Sequence, residues 1–510
     1  MLLLLAGVAR AAIPNAMLRG RPSLPKFSAP ERLVTSPNGT ALPDIKTIYY
    51  FDQLIDHNDP GLGTFQQRYW MNWEFYEPGG PIILMTPGED DASSGYQSFV
   101  TNYTINGLIA QQQKGAVVII EHRFFGESNP YDNLTSQSLA LLTIQQAIDD
   151  LVYFATTADL PMPGGDAVKP GQAPWVLVGG SYSGALTSWT MVNKPGIFWA
   201  GYASSAVVET ITDYYAYFTP IRDYMPRNCS SDVEAVIAHL DRMYVVNDTA
   251  GIQTLKEAFG LGGLVHVDDF AYALQYNLFE WQALQPHADP GTLFFDFCDA
   301  LEVKDGVNAG PEGWGLENAI YSWGKFWNTT YYNHVCNDRD AETCIGTYNT
   351  SQSYWTNVTV DNADRSWTWM VCNQIGFYQV GPPEGQPAIV SHILQPIYDE
   401  RQCVNMFPQA FASPPEPTIA KTNRMYDGWD VDIPRLFFAN GLRDPWREAT
   451  VSADGLNKAN TTSMPIYEGD GFHASDMFTL IGFDDPSIAA VQDAALMYMK
   501  EWLAEWKPSA

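Results

Sequence analysis

The chain has 510 residues with 58 acidic against 28 basic side chains, and its formal net charge of −30 would repel phosphates, which argues against a nucleic-acid partner. Its 46% hydrophobic and 13% aromatic content is enough for one large core plus a second domain or a sizeable insertion. No stretch after the amino-terminal leader approaches the ~20 uninterrupted apolar residues of a membrane span, so the reading is of a soluble protein whose acidic surface is solvated and tolerates low pH.

In chain order, residues 1–12 form an apolar run with an Ala9-x-Ala11 cleavage pattern and read as a signal peptide, although no basic residue opens it. Residues 13–41 are rich in Pro and Arg with little periodicity, as in a pro-segment or a disordered arm. From 42 to 211 strand and helix signals alternate. Pro81–Thr86 and Ala116–Ile120 are short apolar strands, Tyr103–Gln112 and Gln145–Thr156 are helices, and a further strand starts at Trp175. Residues 212–425 change to helical spacing, with helices expected over Asp232–Tyr244, Val267–Leu284 and Ala388–Cys403. Strand signals return over 426–510, and a last helix spans Ile488–Trp506. This order predicts an α/β-hydrolase fold, a parallel doubly wound sheet with an inserted helical cap.

Trp175-Val-Leu-Val-Gly-Gly-Ser181-Tyr-Ser-Gly reads as a buried strand running through a sharp turn into a helix, with a serine at the turn. Counted from Ser181, Gly179 stands at one flank but Ser183 replaces the second glycine of a nucleophile elbow. Ser183 is the rival nucleophile, rejected because it lies further from the strand, already in the helix. An α/β-hydrolase supplies its partners in the order acid, then histidine. Of the eight histidines, at 57, 122, 239, 266, 287, 334, 392 and 473, only His473 follows Asp444, the aspartate beyond the apolar strand and Asn440-Gly441 turn. Ser181, Asp444 and His473 are the expected nucleophile, acid and base, with no cofactor and no metal ligand motif. The backbone amide of Tyr182, with one from Gly88 or Glu89 in the loop after the Pro81 strand, would hold the oxyanion.

Nine N-x-[ST] sequons, at Asn38, Asn102, Asn133, Asn228, Asn247, Asn328, Asn349, Asn357 and Asn460, mark a glycoprotein of the secretory route, extracellular or alternatively vacuolar or lysosomal. Six cysteines, Cys229, Cys298, Cys336, Cys344, Cys372 and Cys403, suit three disulfides, and all lie between the elbow and the acid strand. The insertion is therefore the part that needs staples.

Phe51-Asp-Gln-Leu-Ile-Asp-His57, Phe65-Gln-Gln-Arg-Tyr69, Glu121-His-Arg-Phe-Phe-Gly-Glu-Ser128, the elbow, Asn440-Gly-Leu-Arg-Asp-Pro-Trp446 and Gly471-Phe-His-Ala-Ser-Asp476 together resemble the motifs of the S28 family of serine peptidases. That family includes lysosomal Pro-X carboxypeptidase, dipeptidyl peptidase II and fungal acid prolyl endopeptidases, and the elbow wording is most similar to the fungal branch. The resemblance implies cleavage after proline in peptide or protein substrates, and a homodimer is compatible with it. Trp446 and Trp369 are the candidates for a flat proline pocket. Cys372-Asn-Gln374 departs from the acidic residue of the animal exopeptidases and speaks against recognition of a chain end. Glu121, His122 and Arg123 are read as a structural ion-pair network, with substrate contact as the alternative.

Overall fold

The structure is a computed structural model and describes residues 21–286 and 291–508. The expected signal peptide at 1–12 lies outside the described residues. An eight-stranded sheet forms the centre. Its strands, numbered along the chain, are β1 Tyr49–Leu54, β2 Thr64–Asn72, β3 Ile82–Met85, β4 Ala116–Ile120, β5 Trp175–Gly180, β6 Ala200–Ser204, β7 Leu436–Gly441 and β8 Ile466–Gly469. They lie in the spatial order β1-β2-β4-β3-β5-β6-β7-β8.

From β4 to β8 every neighbour is parallel. β1 and β2 instead form a hairpin laid antiparallel on β4, because the short link from Ile55 to Gly63 cannot accommodate the crossover that a parallel return needs. The parallel sheet expected from the alternating elements holds from β4 to β8, and the antiparallel hairpin is what the structure adds to it. The Phe51 and Phe65 motifs are this hairpin.

The central strands are apolar at every position because both faces are covered. Ile82, Leu84 and Leu177 enter one core, while Ile83, Met85 and Val178 enter the other. Helices α1 Ile144–Thr157 and α2 Tyr182–Asn193 pack on the first face, and Ile105–Gln113 and Pro486–Glu505 on the second. Thr143 caps α1 by accepting from the Gln146 amide. Asp485 caps the last helix, where Pro486 takes the first position and needs no hydrogen-bond acceptor.

Between β6 and β7 the chain is mainly helical, including Arg227–Val245, Val267–Phe279 and Leu316–Phe326, and its buried residues join the first core. This is an α/β-hydrolase fold with an inserted helical region. All three disulfides fall there, Cys229–Cys298, Cys336–Cys344 and Cys372–Cys403. The helix expected from Ala388 starts only at Ile397, since Pro396 disfavours helical backbone before it and tolerates it after.

Of the two readings of the amino-terminal arm, a pro-segment or a disordered arm, the structure bears on the second. Residues 21–41 carry no helix and no strand beyond an isolated bridge, yet Leu24, Phe27 and Val34 are buried, so disorder does not describe them. The nine sequon asparagines are exposed or half-buried, none fully buried. Among the described residues no helix is long and apolar enough to cross a membrane.

Candidate active site

Three residues follow the carboxyl ends of three parallel strands. Ser181 stands directly after β5, Asp444 three residues after the end of β7, and His473 four after the end of β8. Ser181 has φ 65° and ψ −130°, a strained backbone for a non-glycine residue, and opens α2. The turn survives because its neighbours are small: a Cβ on Gly179 would come within 2.0 Å of the Ser183 carbonyl oxygen, and one on Gly184 within 2.7 Å of that of Ser204. Ser183, the sequence rival, is fully buried and braces the turn. Its hydroxyl donates to the Gly180 carbonyl at 2.7 Å and accepts from the Gly180 amide at 3.0 Å.

His473 Nε2 lies 2.7 Å from Ser181 Oγ, and its Nδ1 lies 2.9 and 3.0 Å from the two carboxylate oxygens of Asp444. Asp444 in turn accepts from the Trp446 amide at 2.8 Å. With Nδ1–H directed at the carboxylate, Nε2 is the basic nitrogen, so this geometry can take a proton from the serine hydroxyl and hold the charged ring beside an anion. All three side chains are at most 1% exposed.

The histidine loop is anchored by residues that the sequence reading passed over. Asp476 accepts from the Tyr202 and Ser204 hydroxyls on β6 at 2.5 and 2.8 Å, and burial pushes its carboxyl up to about 6. Ser205 Oγ accepts from the Ala474 amide at 2.9 Å. The signals for Asp476 were its closeness to His473 and its place at the end of the Gly471–Asp476 motif, to which the sequence reading gave no anchoring role.

The Gly88–Glu89 loop lies against the elbow, for a Cβ on Gly88 would meet Tyr182 Cδ1 at 3.2 Å. Behind it, His122 Nε2 is 3.1 Å from the Tyr182 hydroxyl, and burial pushes the ring down to about 4, keeping it neutral. Glu121 receives two hydrogen bonds from Arg68 at 2.6 and 2.9 Å, and Arg123 donates to Asp150 at 2.5 and 2.6 Å. These buried pairs tie β2, β4 and α1 together, the structural role among the two readings.

Trp446 is fully buried against Tyr214, Tyr217 and Phe377, with ring centroids at 5.3, 5.3 and 5.1 Å, and its Nε1 donates to Gln282 at 2.8 Å. With Trp367, Val371, Phe377, Tyr378, Gln379 and Asp399 it lines a small cavity. Trp369 does not join them. Its ring packs on Phe407 and Phe411, and Trp367, which the sequence reading did not name, takes the place at the cavity. Gln374 accepts from the Ile144 amide at 3.0 Å, a helix-start contact.

Residues 53–495 match the family model described as serine carboxypeptidase S28. The chain belongs to the S28 family of serine peptidases. Among curated relatives, "Serine protease vicPb" of Bipolaris victoriae is 34% identical, with 89% of each chain covered. "Probable extracellular serine carboxypeptidase" of Arthroderma benhamiae is 28% identical over 86% of this chain and 64% of its own. "Lysosomal Pro-X carboxypeptidase" of Pongo abelii is 24% identical over 93% and 92%. Membership of S28 identifies a serine peptidase acting on peptides.

Proposed function

We propose that this S28 chain is a secreted, glycosylated peptidase that cleaves on the carboxyl side of proline through Ser181, His473 and Asp444. The observation that carries the reading is the Ser181–His473–Asp444 chain of hydrogen bonds beside a cavity walled by Trp446, Trp367 and Phe377. A pyrrolidine ring is flat and apolar and offers no hydrogen-bond donor, so aromatic faces suit it better than a polar pocket.

Ser181 Oγ attacks the carbonyl carbon while His473 Nε2 takes the hydroxyl proton, and the Tyr182 amide with one from the Gly88–Glu89 loop steadies the oxyanion. The C–N bond then breaks as His473 returns the proton to the leaving amine. Water attacks the acyl-serine by the same route and frees the acid. Asp444 stays ionised throughout, holding the ring's tautomer and its charge. The named Pro-X carboxypeptidase relative supports the proline preference, and the extracellular relative, the sequons and the disulfides support secretion.

The test compares kcat/KM on matched peptides with Pro or Ala before the scissile bond, with short acyl esters as a third substrate. Preference for Pro by about 100-fold, roughly 2.7 kcal/mol of transition-state binding, is expected. Turnover of the esters with cleavage of neither peptide would make the chain an esterase instead.

A further inference from the structure

We propose that Arg21–Phe27 of the chain's own amino-terminal arm occupies the peptide-binding part of the cleft and shuts it, and that the Asp90–Asp364 pair gripping Arg21 is a subsite for a cationic residue of the substrate. This rests on the peptidase reading of Ser181.

The segment has no regular structure, yet its anchors are inside: Arg21, Leu24 and Phe27 are 4%, 3% and 8% exposed. Ordering a segment without regular structure costs conformational entropy, so specific contacts must hold it. They lead to the active site. The Arg21 carbonyl accepts from Gln282 Nε2 at 2.8 Å, and the same Gln282 accepts from Trp446 at the aromatic cavity. The Leu24 side chain lies over the elbow, for a Cβ on Gly180, the residue before Ser181, would stand 2.5 Å from Leu24 Cδ2. The Leu24 carbonyl accepts from the Tyr96 hydroxyl at 2.9 Å, and Phe27 stands edge-on to Phe99 and Phe478.

Arg21 joins the two layers across the cleft. Its guanidinium is 3.7 Å from Asp90, just beyond the Gly88–Glu89 loop, and 3.4 Å from Asp364 in the inserted region. Lys26 pairs with Asp90 as well, at 2.6 Å. Departure of the segment withdraws Arg21 and Lys26 from this acidic wall, whose carboxylates can then accept charge-assisted hydrogen bonds from a guanidinium or ammonium group of a substrate. The contacts that hold the segment, two main-chain carbonyls and a side chain at every third position, are ones that any docked peptide can make, so a substrate can use the same positions.

The experiment uses the full chain with a site-specific protease sequence placed in the exposed Ser36–Thr40 turn, cut and then freed of the released arm. Three readouts follow: the rate of fluorophosphonate labelling of Ser181, turnover of proline peptides, and fluorescence-polarisation binding of a synthetic peptide of residues 21–32. If one molecule in ten is open before cutting, removal of the arm raises labelling about tenfold, and the peptide restores the block while its Arg21→Gln form does so poorly. The cut chain then prefers Arg or Lys over Gln in otherwise identical substrates, and Asp364→Asn erases the preference. In the uncut chain, Arg21→Gln raises labelling without any cut, which separates release from damage by the protease. Equal labelling before and after removal, or failure of the peptide to bind the cut chain, overturns the proposal. Should no form label while the peptide still binds, the nucleophile assignment falls and the occupied cleft stands.

Discussion

Ser181 and Ser183 differ by two positions and by everything around them. One stands at a strained φ with its oxygen 2.7 Å from an imidazole, and the other spends its hydroxyl on both polar groups of Gly180. Ser181→Ala is expected to abolish fluorophosphonate labelling and to lower kcat/KM by about 10⁴-fold or more with the fold intact. Ser183→Ala should keep labelling and lose only about 1–3 kcal/mol of stability with its two hydrogen bonds, and loss of labelling in Ser183→Ala alone would move the nucleophile. Trp446 and Trp369 divide in the same way. Trp446→Phe removes the bond to Gln282 and reshapes the cavity wall, so kcat/KM for proline peptides should fall about tenfold, or roughly 1.4 kcal/mol. Trp369→Phe stays within its cluster with Phe407 and Phe411 and should leave that ratio unchanged. Equal effects of the two would remove the cavity from the specificity argument.

At the scale of elements, the parallel strands β5 and β7 need no covalent help to aim their loops, because each is paired on both sides and covered on both faces, and the edge strand β8 is held along its length by β7. The inserted region is different. Its helices are joined by long irregular links and carry all three disulfides. In the chain-entropy account a link constrains the unfolded state more the longer its loop, which gives roughly 4 kcal/mol for Cys229–Cys298 across a separation of 69 residues and roughly 2.5 for Cys336–Cys344 across 8. Replacing each pair by alanine should lower the urea midpoint in the order Cys229–Cys298, Cys372–Cys403, Cys336–Cys344. The reverse order would show that native packing outweighs loop length. Because Trp367, Phe377 and Gln282 all belong to this region, reduction should cost proline turnover before it unfolds the sheet.

For the whole molecule, pH acts through carboxyls that the fold buries. Burial pushes Asp399 up to about 7 and Asp269 and Asp476 up to about 6, above the ordinary value of 3.8. The folded state therefore holds protons that the unfolded chain has released. Their contribution to stability is complete below the ordinary carboxyl value and is lost as pH rises through about 6 to 7. Asp150 has the opposite sign: burial alone would raise it, but Arg123 outweighs burial and holds it low, so its contribution disappears as pH falls below the ordinary carboxyl range. Maximum stability is expected at mildly acid pH, with Tm at pH 5 roughly 5 °C or more above that at pH 8. Asp399→Asn should reduce the difference by removing the largest of the three shifts. A Tm that rises from pH 5 to pH 8 would refute this account and leave the charge of −30 as a surface property.

Much of the site was legible in the chain because its cues are local. An apolar run followed by glycines marks a strand end, and the order of Ser181, Asp444 and His473 along such ends follows from the connectivity of a parallel sheet. The insertion showed itself by a change of period and by its cysteines. Tertiary packing decided the rest. Trp367 and Trp369 stand two positions apart on the helix Ala363–Met370, about 200° around its axis, and only the neighbours determine which ring meets the cleft. Six cysteines allow fifteen pairings, and chain closure in three dimensions selected one. Glu121 with Arg68 and Asp476 with Tyr202 are partners 53 and 274 residues apart, beyond any local period. The amino-terminal arm is the sharpest case. Its composition reads as unstructured because nothing in residues 21–41 repeats, yet a segment without its own hydrogen-bond pattern is ordered when a cleft supplies the partners, and that cleft exists only once sheet and insertion have come together.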